Sequence, residues 1–106
     1  MTFLAKVAEI PAGDRKLVKV NGVDVAVFHV GDRFYALHNA CPHRHGPLIR
    51  GTLEEAAGGA GCAIRCPMHG WKFDLETGDS HGRPGNATVY PVTQRDGELF
   101  IEIGGV

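Results

Sequence analysis

The sequence predicts an all-β domain, a sandwich or barrel of short antiparallel strands. Three observations carry that expectation. Short runs of β-forming residues recur between turn signals. Glycine makes up 15 of 106 residues, about twice its usual share, which implies many turns. No segment sustains a 3.6-residue apolar period over the length of a globular helix. A chain of this size fits one domain, taken here as residues 1–106.

The elements follow in order. Residues 2–8 (TFLAKVA) open a strand. Residues 15–20 (RKLVKV) and 23–30 (VDVAVFHV) form a hairpin through Asn21-Gly22, because both central residues of a type I′ turn need positive φ. The alternation of Val23, Val25 and Val27 puts one face of the second strand inward. Gly31-Asp32 turns the chain into a strand at 33–37. From Asn39 to Gly51 the pattern gives way to Pro, His, Cys and Gly. Residues 54–61 (EEAAGGAG) read as a turn of helix followed by a glycine-rich loop. Residues 62–66 (CAIRC) form a strand that leads into a second Pro/Cys/His/Gly segment, and residues 71–74 (WKFD) follow it. Residues 79–86 are loop by composition. The chain closes with strands at 87–93 (ATVYPVT) and 98–103 (ELFIEI), joined by a turn at Asp96-Gly97.

Composition narrows the function. Eleven basic and twelve acidic residues leave a formal net charge of -1, which argues against a nucleic-acid or anionic-membrane footprint. No apolar run approaches a bilayer span. The mixed start of the chain has no signal-peptide apolar core, so a cytoplasmic protein is expected. Three cysteines, an odd number, fit a disulfide scaffold poorly, and clustered Cys and His read first as metal ligands. Neither a Walker A run nor a G-x-G-x-x-G is present, and G-x-S-x-G is missing as well.

The chemistry sits in two short segments of one kind, Cys41-Pro42-His43-Arg44-His45-Gly46 and Cys66-Pro67-Met68-His69-Gly70-Trp71. Each offers a thiolate and an imidazole, and two such loops can converge on one metal centre. Chemistry alone permits a Cys₂His₂ zinc site. It equally permits a diiron cluster with Cys on one iron and His on the other. The remaining reading, ordinary loop residues, sits poorly with two such segments in so short a chain.

Cys41-x-His43 followed by Cys66-x-x-His69 resembles the Rieske [2Fe–2S] signature. The likeness extends through Cys66-Pro67-Met68-His69-Gly70-Trp71-Lys72-Phe73-Asp74-Leu75-Glu76-Thr77-Gly78, which is similar to soluble Rieske ferredoxins and to the Rieske domains of ring-hydroxylating oxygenases. The resemblance implies a Rieske-like antiparallel β-sandwich with a small cluster-binding subdomain of two loops, near 39–51 and 66–74. It also implies one [2Fe–2S] cluster per chain, held by Cys41, His43, Cys66 and His69. Four thiolates would leave an oxidised cluster a dianion, whereas two thiolates and two neutral imidazoles leave it neutral and easier to reduce. Hence Rieske centres span about -150 to +300 mV, above plant-type ferredoxins.

High-potential Rieske proteins of respiratory complexes carry an extra Cys in each ligand loop and form a disulfide between them. The matching positions here are Gly46 and Met68. They also place Ser and Tyr hydroxyls near the cluster sulfurs, where this chain has Trp71 and Phe73. Fewer hydrogen bonds to sulfur predict a potential near the low end of the range. Iron-bound His43 and His69 are expected to titrate with redox state, above neutral pH.

The resemblance implies a soluble one-electron carrier rather than an enzyme, and with no obvious apolar seam in the sequence a monomer is expected. It would take electrons from a flavin-containing ferredoxin reductase and pass them to a terminal oxygenase of the aromatic-ring dioxygenase type, binding neither nucleic acid nor membrane. The segment after the second motif holds a single histidine, His81, too few for a mononuclear iron site of its own. The alternatives are the small subunit of an assimilatory nitrite reductase and, from another class, a zinc-stabilised binding module.

Several residues stand beside the ligands. Cys62 reads as a buried structural thiol, and His45 as a rival ligand or a partner contact. His29, His38 and His81 read as surface or strand histidines. Trp71 reads as packing behind the cluster or as a docking aromatic. Gly82-Arg83-Pro84-Gly85 resembles the family's cluster-covering loop and equally fits a plain surface turn. Pro42, His45, Leu48 and Met68 are the docking candidates.

Overall fold

The computed structural model describes residues 2–40, 47–55, 62–67, 70–80 and 85–102. Ten strands run through them: β1 (Thr2–Lys6), β2 (Arg15–Val20), β3 (Val23–Val30), β4 (Arg33–His38), β5 (Thr52–Glu55), β6 (Cys62–Arg65), β7 (Lys72–Asp74), β8 (Val89–Tyr90), β9 (Val92–Arg95) and β10 (Glu98–Ile101). Single 3₁₀ turns lie at Val7–Glu9 and Leu48–Arg50, and no α-helix occurs among the described residues. None of their helices is long and apolar enough to cross a membrane.

The strands form three antiparallel sheets, in the orders β1-β10-β9, β2-β3-β4-β8 and β5-β6-β7. The all-β architecture is the one expected. Asn21 and Gly22 take the expected positive φ, 50° and 81°, and the turn at Asp96-Gly97 has the same kind, 52° and 77°.

The four-stranded sheet is covered on both sides. Val25 and Val27 of β3 pack with Leu4, Ile10, Ala36, Leu99 and Ile101, against the β1-β10-β9 sheet. Ala26 and Phe28, pointing the other way, pack with Leu37, Leu48, Ile64 and Phe73, against the β5-β6-β7 sheet. The expectation that β3 turns one face inward is therefore corrected: residues 25–28 are buried on both faces. Each fully buried Phe or Leu contributes about 1.5–3 kcal/mol. In β1 a register shift between Phe3 and Ala5 lets the successive Leu4 and Ala5 both turn inward.

Two other expectations are corrected. The stretch read as a turn of helix from Glu54 begins inside a strand, β5, which pairs with β6 through Thr52↔Arg65 and Leu53↔Ile64. Residues 56–61, the remainder of that stretch, lie outside the described residues. The single strand expected at 87–93 is two strands in different sheets, β8 and β9, separated by Pro91. Proline has no N–H for a ladder, so the chain changes sheets there.

His29 and His38 are strand histidines, as expected. His29 Nδ1 lies 2.7 Å from the Ile10 carbonyl, and its ring stacks on Phe34 at 3.9 Å.

Candidate metal centre

Of the four expected ligands the structure describes Cys66; Cys41, His43 and His69 lie outside the described residues. So do Pro42, His45, Met68, His81 and most of the Gly82-Arg83-Pro84-Gly85 stretch. What the structure shows is the frame from which these segments spring.

Cys66 ends β6. The strand exposes Arg65 and turns Cys66 inward, where it is 1% exposed. Its N–H donates to the Trp71 carbonyl at 2.6 Å, closing the neck of the second loop. Gly70, with φ of 68°, makes the turn at that neck, a conformation L side chains rarely adopt. Trp71 is 7% exposed and packs at 6.3 Å from Phe73, so it lines the interior rather than offering a docking aromatic.

The first loop is pinned at both ends. Ala40 and Pro47 form an isolated antiparallel bridge. Asn39 ties the two sides together: its carbonyl accepts from Leu48 N at 2.7 Å, and its Oδ1 accepts from Ile49 N at 2.8 Å. Its own N–H donates to the Asp24 carbonyl at 2.8 Å. Leu48 is fully buried, which corrects its candidacy as a docking residue; it plugs the core beneath the loop.

Arg15 on β2 holds the far side of that loop. Its Nη1 donates to the carbonyls of Ile49 and Gly51 at 3.0 and 2.7 Å, and its guanidinium lies 5.2 Å over the Phe28 ring. At Gly51 the chain following the first segment meets the strand entering the second. A β-carbon there would lie 2.3 Å from the Arg65 carbonyl, so the strand leaving the first loop presses on the strand entering the second.

A third segment joins this end. Ser80 N and Oγ both donate to Asn86 Oδ1, at 3.1 and 3.0 Å, bridging residues 81–84. His38 N donates to the Thr88 carbonyl at 2.8 Å, which lays this segment beside the start of the first loop. Gly78, φ 80°, packs so closely on Ala87 that a β-carbon would lie 2.1 Å from its carbonyl oxygen.

The donor set suits an iron–sulfur group. Cys66 belongs to a buried cluster with Leu48, Ile64, Trp71, Phe73, Leu75 and Ala87, none of them charged. A soft thiolate withdrawn from water into such a wall can hold a cluster and shield it from hydrolysis. Trp71 and Phe73 bring no hydroxyl to that wall. Cys62 is half-buried rather than buried and packs at the edge of the same cluster.

Arg15, Asn39, Glu54 and Asn86 were not singled out in the sequence. Their partners lie up to 36 residues away, and no local pattern marks them.

Comparison with known proteins agrees with this frame. Residues 1–94 match the family model of the Rieske [2Fe-2S] domain. The chain is 32% identical over 103 residues to the 3-phenylpropionate/cinnamic acid dioxygenase ferredoxin subunit of Escherichia coli (strain K12), covering 95% of this chain and 92% of that one. It superposes with TM-score 0.77 and 30% identity on a chain of the complex of reduced oxygenase and oxidized ferredoxin in carbazole 1,9a-dioxygenase, covering 94% of this chain and 99% of that one. A putative NADH-dependent nitrite reductase small subunit from Mycobacterium tuberculosis shares the fold, with TM-score 0.85 and 22% identity over 99% of this chain and 96% of that one.

Proposed function

The chain belongs to the Rieske [2Fe–2S] domain family, and from that premise we propose that it is a one-electron carrier serving a terminal oxygenase of the aromatic-ring dioxygenase type. Its resident group is a Rieske-type [2Fe–2S] cluster, which takes up and releases a single electron when bound. The observation that carries the reading is the likeness to a dioxygenase ferredoxin subunit along 95% of this chain and 92% of that one. The reading makes the chain an electron-transfer component rather than an enzyme.

In this reading Cys41, His43, Cys66 and His69 hold the cluster, two residues from each loop. The closed neck at Cys66 and Trp71, the Asn39 bonds and the Gly51 contact hold the loops in register. The uncharged wall around Cys66 excludes water. A flavin-containing reductase supplies the electron, and the protein acts as a single-domain monomer in the cytoplasm. Zinc is set aside by the family match, since a Rieske domain houses iron and sulfide. The nitrite reductase likeness is one of fold, and both Cys-Pro-(x)-His segments being intact favours the ferredoxin.

The test is the EPR spectrum of dithionite-reduced protein, with iron, sulfide and zinc assayed on the same sample. A rhombic signal with the low average g of a His-ligated cluster and two irons per chain is expected, together with electron transfer to an aromatic-ring dioxygenase. His43→Ala and His69→Ala should lose that signal, and Cys62→Ser should keep it. A colourless protein with one zinc per chain would overturn the reading.

A further inference from the structure

The neck of the second ligand loop carries an ionic group that electron transfer as such does not require. Arg65 and Lys72 stand directly opposite each other on β6 and β7, a pairing that repels. Glu54 of β5 lies against both. Its Oε1 is 3.0 Å from Lys72 Nζ and accepts from Arg65 Nη2 at 3.0 Å, and its Oε2 accepts from Arg65 Nε. The bonds to Arg65 and Lys72 lower the Glu54 carboxyl to about 2, so it stays ionised at neutral pH. One carboxylate between two cations leaves a single net positive charge.

That charge straddles the loop. Arg65 immediately precedes Cys66, and Lys72 immediately follows Trp71. The remaining guanidinium nitrogen, Arg65 Nη1, reaches the Gly70 carbonyl at 3.4 Å. Glu54 and Lys72 are 28% and 30% exposed, so bulk water screens them only in part.

We infer that Glu54 sets the net charge at the base of the second ligand loop, and with it the reduction potential of the group that loop holds. The inference rests on Cys66 and His69 being ligands. Reduction adds a negative charge to the centre, so each nearby positive charge favours the reduced form and each one removed disfavours it. Glu54→Gln leaves both cations uncompensated and raises the potential. Lys72→Gln removes one cation and lowers it. The double variant returns to the wild-type net charge and to a potential close to the wild-type value. If Glu54 were only a structural tie, both single variants would loosen the same neck and the shifts would share a sign.

The experiment is a redox titration of the cluster-loaded protein and its variants, followed by visible circular dichroism, after iron content and EPR have been taken on each. At fixed applied potential the reduced-to-oxidised ratio should rise about threefold in Glu54→Gln and fall about threefold in Lys72→Gln, about 28 mV each way at 59 mV per tenfold change. Lys72→Glu, which changes the charge twice at one half-exposed position, should lower the potential about twice as far as Lys72→Gln. It keeps the test open if Glu54→Gln fails to hold iron. Shifts of the same sign in the two single variants, or a Lys72→Glu midpoint equal to wild type, would overturn the inference. A wild-type protein lacking the His-ligated EPR signal would instead bring down the ligand reading, a different and separable result.

Discussion

Gly51→Ala tests whether the backbone at Gly51 presses on that at Arg65 as the structure shows. An added β-carbon would lie 2.3 Å from the Arg65 carbonyl oxygen and 3.0 Å from Ile64 Cγ1 and Cδ1. Gly51 has φ of -73°, which alanine adopts freely, so the whole penalty is steric. An ordinary carbon–oxygen contact is about 3.3 Å or more, so the two strands must separate by roughly 1 Å. Overpacking of this kind costs about 1–3 kcal/mol. Taking about 2 kcal/mol, the melting temperature of a domain this size should fall by roughly 8–16 °C. Gly31→Ala is the control: it has φ of 62° and nothing within 4 Å of the new carbon. It carries only the left-handed backbone penalty of about 1 kcal/mol. Thermal melts of the two cluster-loaded variants, with EPR line shapes, separate the effects. Gly51→Ala should melt lower and broaden or shift the EPR signal, because the carbonyl it displaces adjoins Cys66. Gly31→Ala should leave the line shape unchanged. A Gly51→Ala protein that melts no lower than Gly31→Ala, with wild-type EPR, would refute the argument.

Arg15→Met should destabilise the protein by about 2 kcal/mol in urea unfolding, since it strips the Ile49 and Gly51 carbonyls of a charged donor and removes the guanidinium from Phe28. Iron should also leave this variant faster in the presence of a chelator. Acid sensitivity follows from Glu54, whose carboxyl is lowered from 4.5 to about 2 by its bonds to Arg65 and Lys72. A lowered folded-state value stabilises the fold above the unfolded value, and that stability is lost as pH falls from 4.5 towards about 2. Unfolding midpoints measured across that window should fall less steeply in Glu54→Gln than in wild type.

Much of the fold is legible in local pattern. The β2–β3 hairpin is announced by Asn21-Gly22, because only a few residue types accept positive φ twice in succession, and the structure takes that conformation there. The β9–β10 turn at Asp96-Gly97 follows the same logic. β5 is not legible: Glu54 and Glu55 are poor strand formers, and Glu-Glu-Ala-Ala reads locally as helix. Its strand state comes from the partner β6, with Arg65 and Lys72 beside Glu54. The break at Pro91 was visible as a residue but not as a change of sheet, because which sheet follows is a tertiary matter. Leu48 lies in a loop of polar and turn residues and so looked like a surface contact, yet the Asn39 bonds draw it into the core. At the candidate site, the Cys66 motif stands out in the sequence and the structure buries Cys66. The struts were not, since Arg15 meets Gly51 across 36 residues.

The pairing of β1 with β10 has a consequence for the order of events during synthesis. Thr2 pairs with Ile101, the most distant partners among the paired strands. β2 to β8, which include Gly51-flanking β5 and the strands on either side of Cys66, find all their partners between residues 15 and 90. A chain emerging from the ribosome can therefore assemble the β2 to β8 part while β1 still waits for its partner. Contacts of such separation form late and slowly. In the meantime the apolar face of β1, with Leu4, stays uncovered, and the cell must get the chain through that interval without aggregation.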